Sequence, residues 1–400
     1  MGFQITNDGI LVKYTKEEGV TDAVVPDGVR KIGCCAFSGC DNITNVTIPD
    51  SVKSIGYRAF SGCMKLTSIN IPDSVVRIGA EAFSFCRSLT SIAIPDSVKS
   101  IGKMAFFVCN DLTSINIPDS VVHIGSRTFS FCYSLTSITI PDSVISIGKS
   151  AFFVCSNLTS IIIPNSVKSI GLGAFFGCDK LKSITIPDSV TSISDGAFKD
   201  CSSLTSVTIP DSVTSISDDA FEGCSSLTSV TIPNSVKNIG YNAFFQCRNL
   251  TNIIIPDSVK KIRESAFESC SNLTSIMIPD SVTSIGNSAF SYCSSLKSVT
   301  ISDSVTSIGK REITVYDSID PDTSQCKSHP YACNGTLNSF LGIIVNQGSG
   351  DWLDYEVTVR SAHIVSCCYC PGEKMQRSIS TQSMKCSLKS MGHITSSDLP

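Results

Sequence analysis

The chain has 400 residues, a formal net charge of −4 and 42% hydrophobic residues. Near-neutral charge without a run of basic residues excludes a protein built to grip a phosphate backbone, so nucleic acid is not an expected partner. The apolar residues are spread evenly, and no stretch approaches the ~20 consecutive apolar residues of a spanning helix, so no transmembrane segment is expected.

At the start, Met1-Gly-Phe-Gln-Ile-Thr has neither the basic nor the apolar region of a cleavable secretory leader. Gly2 and Thr6 fit the loose myristoylation pattern, but bulky Phe3 beside the glycine reads more simply as a buried end residue. Phe3, Ile5, Ile10, Val12 and Tyr14 surround Asn7-Asp8-Gly9, and Asp-Gly between alternating apolar residues signals a hairpin. Residues 1–25 are read as a hairpin that caps the next segment of the chain.

From Pro26 a repeat takes over. Proline recurs at 26, 49, 72, 95, 118, 141, 164, 187, 210, 233, 256 and 279, a constant step of 23, and Ser302 stands at the next position. Cysteine keeps the same step from Cys40 to Cys293, and phenylalanine leads each cysteine by three residues from Phe37 to Phe290. Within one unit, Val207 and Ile209 alternate with Ser206 and Thr208 as in a half-buried strand, which Pro210 ends because it cannot donate to a ladder. Asp211 and Ser212 form a turn, and Val213 and Ile216 point inward again. Ala220, Phe221 and Cys224 have the spacing of one face of a short helical turn. Stacked units place every strand beside its neighbour. The expected fold over 26–310 is therefore an α/β repeat solenoid: a right-handed coil of about twelve repeats with a parallel sheet on one face and short helical turns on the other. The unit Ile-Pro-Asp-Ser-Val-x-Ser-Ile-Gly-x-x-Ala-Phe-x-x-Cys-x-x-Leu at 94–112 resembles the BspA-like branch of the leucine-rich-repeat superfamily. The resemblance implies a microbial surface or secreted protein that binds host or neighbouring-cell proteins, without catalytic residues. The unreadable leader departs from secreted members and leaves both a cytoplasmic scaffold and a non-classical route to the surface open.

Val305 to Gly309 completes half of a thirteenth unit, and the pattern breaks at Arg311. In the divergent tail, 311–400, Leu353, Tyr355, Val357 and Val359 alternate with polar residues as a strand, placed to cap the open end, while 372–400 reads as disordered.

Two faces are candidate sites. On the strand face, Ser or Asn at 45, 68, 91 and onward and the column from Thr47 to Thr300 contain no charged or aromatic residue. The ranks Ser183, Thr185, Ser206, Thr208, Ser229 and Thr231 form a hydroxyl lattice of the sort that would meet a regular surface such as ice or a glycan array, although threonine also simply suits a solvated strand. On the opposite side, repeats three to seven fill the two positions between Phe and Cys with Phe85, Phe107, Val108, Phe131, Phe153, Val154 and Phe176. Either these form an apolar patch for a protein partner, or a tilted turn buries one of the two columns. An acidic cluster, Asp195, Asp200, Asp218, Asp219 and Glu222, lies beside them.

The cysteine column reads as small buried hydrophobes in a reducing compartment. His363 with Cys367, Cys368 and Cys370 lacks the paired spacing of a zinc site, and the recurring Asp at 50, 73, 96, 119 and 142 reads as turn capping rather than a calcium array. Sequons at Asn42, Asn157, Asn249 and Asn272 matter only in a secreted chain. With four histidines, His123, His329, His363 and His393, no nucleophile–base–acid set or phosphate loop can be assembled. Neither a metal nor another cofactor is expected, and the chain reads as a non-catalytic protein-binding or adhesion scaffold.

Overall fold

The computed structural model describes residues 2–15, 19–302 and 304–309, together with the tail strands Ile313–Tyr316, Ile343–Asn346, Glu356–Arg360 and Met384–Lys385. His329, His363, His393, the six tail cysteines, Leu353, Tyr355 and all of 372–400 apart from Met384–Lys385 lie outside the described residues.

Each repeat makes one coil of a parallel β-solenoid. Apolar and hydroxyl residues alternate through segments such as Ser206–Thr208 and Ser229–Thr231, so one side of the strand faces the core and the other faces solvent. These strands pair in parallel at the 23-residue offset, with Ser206 opposite Ser229, Val207 opposite Val230 and Thr208 opposite Thr231. After the Pro-Asp-Ser turn a second ladder forms from two-residue strands such as Ser54–Ile55, Arg77–Ile78 and Ser100–Ile101. The sequence does not announce this ladder, because a single inward isoleucine per repeat carries no period.

The third side corrects the expectation of short helical turns: no helix occurs among the described residues. In repeat four the amides of Met104, Phe106 and Val108 do not bond back along their own turn. They donate instead to the carbonyls of Ser126, Thr128 and Ser130 in the next coil, at 3.0, 2.9 and 2.9 Å. A stacked neighbour offers these amides a partner that an isolated helical turn of this length would have to supply itself. The geometry needs two left-handed residues per coil, one just before the Ala of Ala-Phe and one just before Cys, and both columns have positive φ throughout the twelve repeats.

Inside, Phe37, Phe60, Phe83 and their successors to Phe290 are fully buried and stacked with centroids 4.9–5.6 Å apart. The first coil is covered by the antiparallel pair Gly2–Ile5 and Ile10–Thr15, whose second strand joins the short-strand ladder through Ile10 and Leu11. Tyr14 stacks on Phe37 at 4.9 Å, and Phe3 lies 5.0 Å from Tyr14, so the aromatic column continues into the hairpin. At the other end Glu356–Arg360 pairs in parallel with Ser298–Ser302.

Candidate binding surfaces

Outside the buried phenylalanine column runs a second, outer one. Phe85, Phe107, Phe131, Phe153 and Phe176 are in successive ring contact at 5.4, 5.6, 5.3 and 4.7 Å, the first three pairs edge-to-face and the last stacked. Phe85 is 37% exposed, while the other four rings and both Val108 and Val154 are half-buried. Tyr133, 39% exposed, extends the surface beside Phe131 at 6.0 Å.

The rings zigzag because the sequence does. Repeats three and five read Phe-Ser-Phe-Cys, at 83–86 and 129–132, and repeats four and six read Phe-Phe-Val-Cys, at 106–109 and 152–155. The alternation extends outward: Val75-Val76-Arg77-Ile78-Gly79 matches Val121-Val122-His123-Ile124-Gly125, and Ser100-Ile101-Gly102-Lys103 matches Ser146-Ile147-Gly148-Lys149. A 46-residue period is thus laid over the 23-residue one in this part of the array alone. In repeats three and five the position not taken by phenylalanine holds Ser84 and Ser130, both buried beneath the ladder, where Ser130 Oγ donates to the Ser150 carbonyl at 2.6 Å.

The residue just before each cysteine is left-handed. Gly39, Gly62, Gly177 and Gly223 occupy that position at φ of 68–76°, as glycine does without penalty. Phe85, Val108, Phe131 and Val154 occupy the same position at φ of 55–61°. Bulky and β-branched side chains are genuine outliers there, each costing about 1–2 kcal/mol relative to a permissive residue. Asp200, Gln246, Ser269 and Tyr292 fill the position in the remaining repeats at φ of 57–61°, so glycine is set aside in eight coils, and in four consecutive ones for Phe or Val.

Four residues before the three middle rings stand Lys103, Arg127 and Lys149, all exposed. None of them takes part in the ion pairs found among the described residues, which join Arg58 to Glu81 and Lys199 to Asp219 and Glu222. Arg77 on the short-strand ladder, and Lys99 and Lys168 just ahead of the short strands Ser100–Ile101 and Ser169–Ile170, add further exposed positive charge. Basic residues dispersed in sequence therefore line up across coils. The apolar ladder ends at Lys199, held 2.8 Å from Glu222 and 3.7 Å from Asp219.

On the strand face Ser183, Thr185, Ser206, Thr208, Ser229 and Thr231 are exposed and in register over three coils. Ile162 on one side and Ile254 on the other, 81% and 73% exposed, interrupt the hydroxyl rank.

The twelve ladder cysteines are buried, and from Cys63 onward each thiol donates to the phenylalanine carbonyl of the coil before, as Cys132 Sγ does to Phe106 O at 3.2 Å. Cys34 and Cys35 stand apart, both exposed, with sulfurs 3.7 Å apart. His123 is exposed with Nδ1 2.7 Å from Ser146 Oγ. Among the described residues no group of His, Cys, Asp or Glu is arranged to hold a metal, and no helix is long and apolar enough to cross a membrane.

Three overlapping stretches, 13–130, 76–205 and 191–314, match the family described as the BspA type leucine rich repeat region. No curated protein matches the chain. Among solved structures, a leucine-rich repeat protein from Bacteroides ovatus aligns with TM-score 0.66 and 30% identity over 78% of this chain and 92% of its own. A leucine rich cell surface protein from Faecalibacterium prausnitzii aligns with TM-score 0.54 and 32% identity over 77% and 92%. The pneumococcal vaccine antigen PcpA, 21% identical with TM-score 0.51 over 78% and 87%, shares the fold.

Proposed function

The chain belongs to the BspA-type leucine-rich-repeat family, and from that premise we propose that it is a non-catalytic protein-binding scaffold of the cell-surface adhesion type. Its partner contacts the outer ladder Phe85–Phe107–Phe131–Phe153–Phe176 with Val108 and Val154. One observation carries this reading: four consecutive repeats put Phe or Val at a left-handed position that glycine or a polar residue fills in seven of the other eight, Tyr292 being the eighth. Strain retained against a local preference, in a solvent-accessible apolar patch, is what a contact surface selects for. A solved cell-surface relative at 32% identity supports the adhesion type over the intracellular alternative.

The test is saturable binding of the purified chain to immobilised matrix and cell-surface proteins, compared with a Phe107→Ser/Phe131→Ser/Phe153→Ser variant. The expected result is binding by the parent and loss in the variant, with the thermal transition of the variant retained. Equal binding by both, or none by the parent, contradicts the proposal. The hydroxyl lattice is the weaker reading, because exposed isoleucines limit its uninterrupted rank to three coils. Thermal hysteresis or crystal shaping in solution would restore it.

A further inference from the structure

Resting on the ladder as the contact surface, we infer the form and charge of what binds there: an amphipathic α-helix of a partner protein, apolar along one stripe and acidic beside it, lying along the solenoid axis.

Spacing points to a helix. Consecutive coils of a parallel stack lie about 4.7–4.9 Å apart, and the ladder's ring centroids are 4.7–5.6 Å apart. A helix laid along that direction offers one residue of a given face every turn, about 5.4 Å, so it stays near one turn per coil and drifts by only ~2–3 Å over four steps. An extended segment offers same-face side chains every ~6.6–6.8 Å and falls out of step with the rings almost at once. The two-coil zigzag, roughly 9.5 Å, likewise lies close to the ~10.5 Å heptad of a helix whose anchors alternate at i, i+3 and i+7.

Charge points to acidic flanks. Lys103, Arg127 and Lys149 occupy three consecutive coils, each four residues ahead of a ladder ring, without an ion-pair partner among the described residues. Carboxylates at i and i+4 of a helix are ~5–6 Å apart, close to the spacing of successive coils, so one acidic row can meet this basic row turn by turn. Glu81, the acidic residue at the corresponding place in repeat three, is 2.7 Å from Arg58 and so does not oppose such a partner. Size argues against a second copy as occupant: five coils measure roughly 24 Å by the ~10 Å width of one helix, far below the ~800 Å² per partner of a stable interface between globular surfaces.

The probe is a fluorescein-labelled, end-blocked 21-residue peptide of three heptads with Leu at a and d, Glu at e and g and Ala elsewhere. Its controls carry Lys at e and g, or Pro at the centre of each heptad. Anisotropy titrations with the full chain are expected to show binding of the Glu peptide that weakens at least tenfold between 50 and 300 mM salt, and no binding of the Pro peptide. Lys103→Glu/Arg127→Glu/Lys149→Glu is expected to weaken the Glu peptide at least tenfold and to bind the Lys peptide instead. Phe107→Ser/Phe153→Ser is expected to weaken both. Equal binding of Glu and Lys peptides, undiminished binding of the Pro peptide, no response to charge reversal, or self-association of the chain lost in the Phe→Ser variant would overturn the inference. If the Phe→Ser variants abolish binding to an immobilised protein while charge reversal leaves it unchanged, the adhesion reading stands and the acidic helix falls. If neither set of changes matters, both fall.

Discussion

Val108 and Val154 sit at φ of 61° and 55° in a position that holds glycine at 39, 62, 177 and 223. Valine incurs a left-handed penalty of about 1–2 kcal/mol there, partly offset because glycine has more conformational freedom to lose on folding. Val154→Gly is therefore expected to leave the urea midpoint unchanged or to raise stability by up to about 1 kcal/mol while weakening partner binding. A loss of more than ~2 kcal/mol would place Val154 among the structural residues. Gly102 behaves in the opposite way: a Cβ there would lie 2.3 Å from the Ala80 amide nitrogen of the preceding coil. Gly102→Ala should cost roughly 1–3 kcal/mol in the same measurement, since the obstacle is backbone that cannot swing aside. The left-handed columns are invisible in the sequence because only four of twelve residues before cysteine, and two of twelve at the other column, are glycine. The ladder residues themselves are legible, since Phe107 and Phe153 stand out against Lys199 and Glu222 at the same place in the repeat.

At the scale of the coil, the cysteine column joins neighbours by thiol-to-carbonyl hydrogen bonds as well as by packing. Burial pushes the thiols from Cys86 to Cys293 upward, Cys132 and Cys293 to about 12, and at Cys63 a hydrogen bond with the Cys86 thiol raises it first and burial second. In the unfolded chain a thiol ionises near pH 8.5, so the stability tied to each buried neutral thiol is whole below that value and is lost as pH climbs toward the folded-state value. Urea midpoints should be flat between about pH 6 and 8 and fall steeply above about pH 9. Cys132→Ala/Cys155→Ala/Cys178→Ala should flatten that alkaline slope by roughly 4 kcal/mol per pH unit, because each thiol removed contributes about 1.4. Parent and variant slopes that coincide would refute the neutral-thiol column. The spacing of Ala220, Phe221 and Cys224 suits a helical turn equally well, which is why the sequence points to a helix on the third side where none forms. What decides it is the carbonyl row of the next coil, and an interaction between residues 22 apart leaves no mark on one repeat read alone.

Across the whole molecule, the buried phenylalanine column makes stability a property of neighbours. Phe175 lies 5.3 Å from Phe152 and 5.5 Å from Phe198, fully buried between them. Phe175→Ala should cost about 3–5 kcal/mol and separate the array's unfolding into two steps on either side of repeat seven, visible by hydrogen exchange. A single transition with an unmoved midpoint would contradict that coupling. The 23-residue period, the parallel stack and the inward columns are all readable from the sequence because one pattern is written twelve times. The 46-residue alternation is hidden within any single repeat, and the basic row is hidden because its members are 22–24 residues apart. Both features set repeats three to seven apart from the rest of the array. The most direct test replaces the ladder with what the backbone tolerates: Phe85→Gly, Phe107→Ser, Val108→Gly, Phe131→Gly, Phe153→Ser, Val154→Gly and Phe176→Ser in one chain, assayed for urea stability and partner binding together. A contact surface predicts abolished binding with stability within about 2 kcal/mol of the parent, since the lost half-buried apolar area and the relieved left-handed strain largely offset each other. Retained binding, or a loss of stability of many kcal/mol, would contradict it, the latter by making the outer ladder a second core.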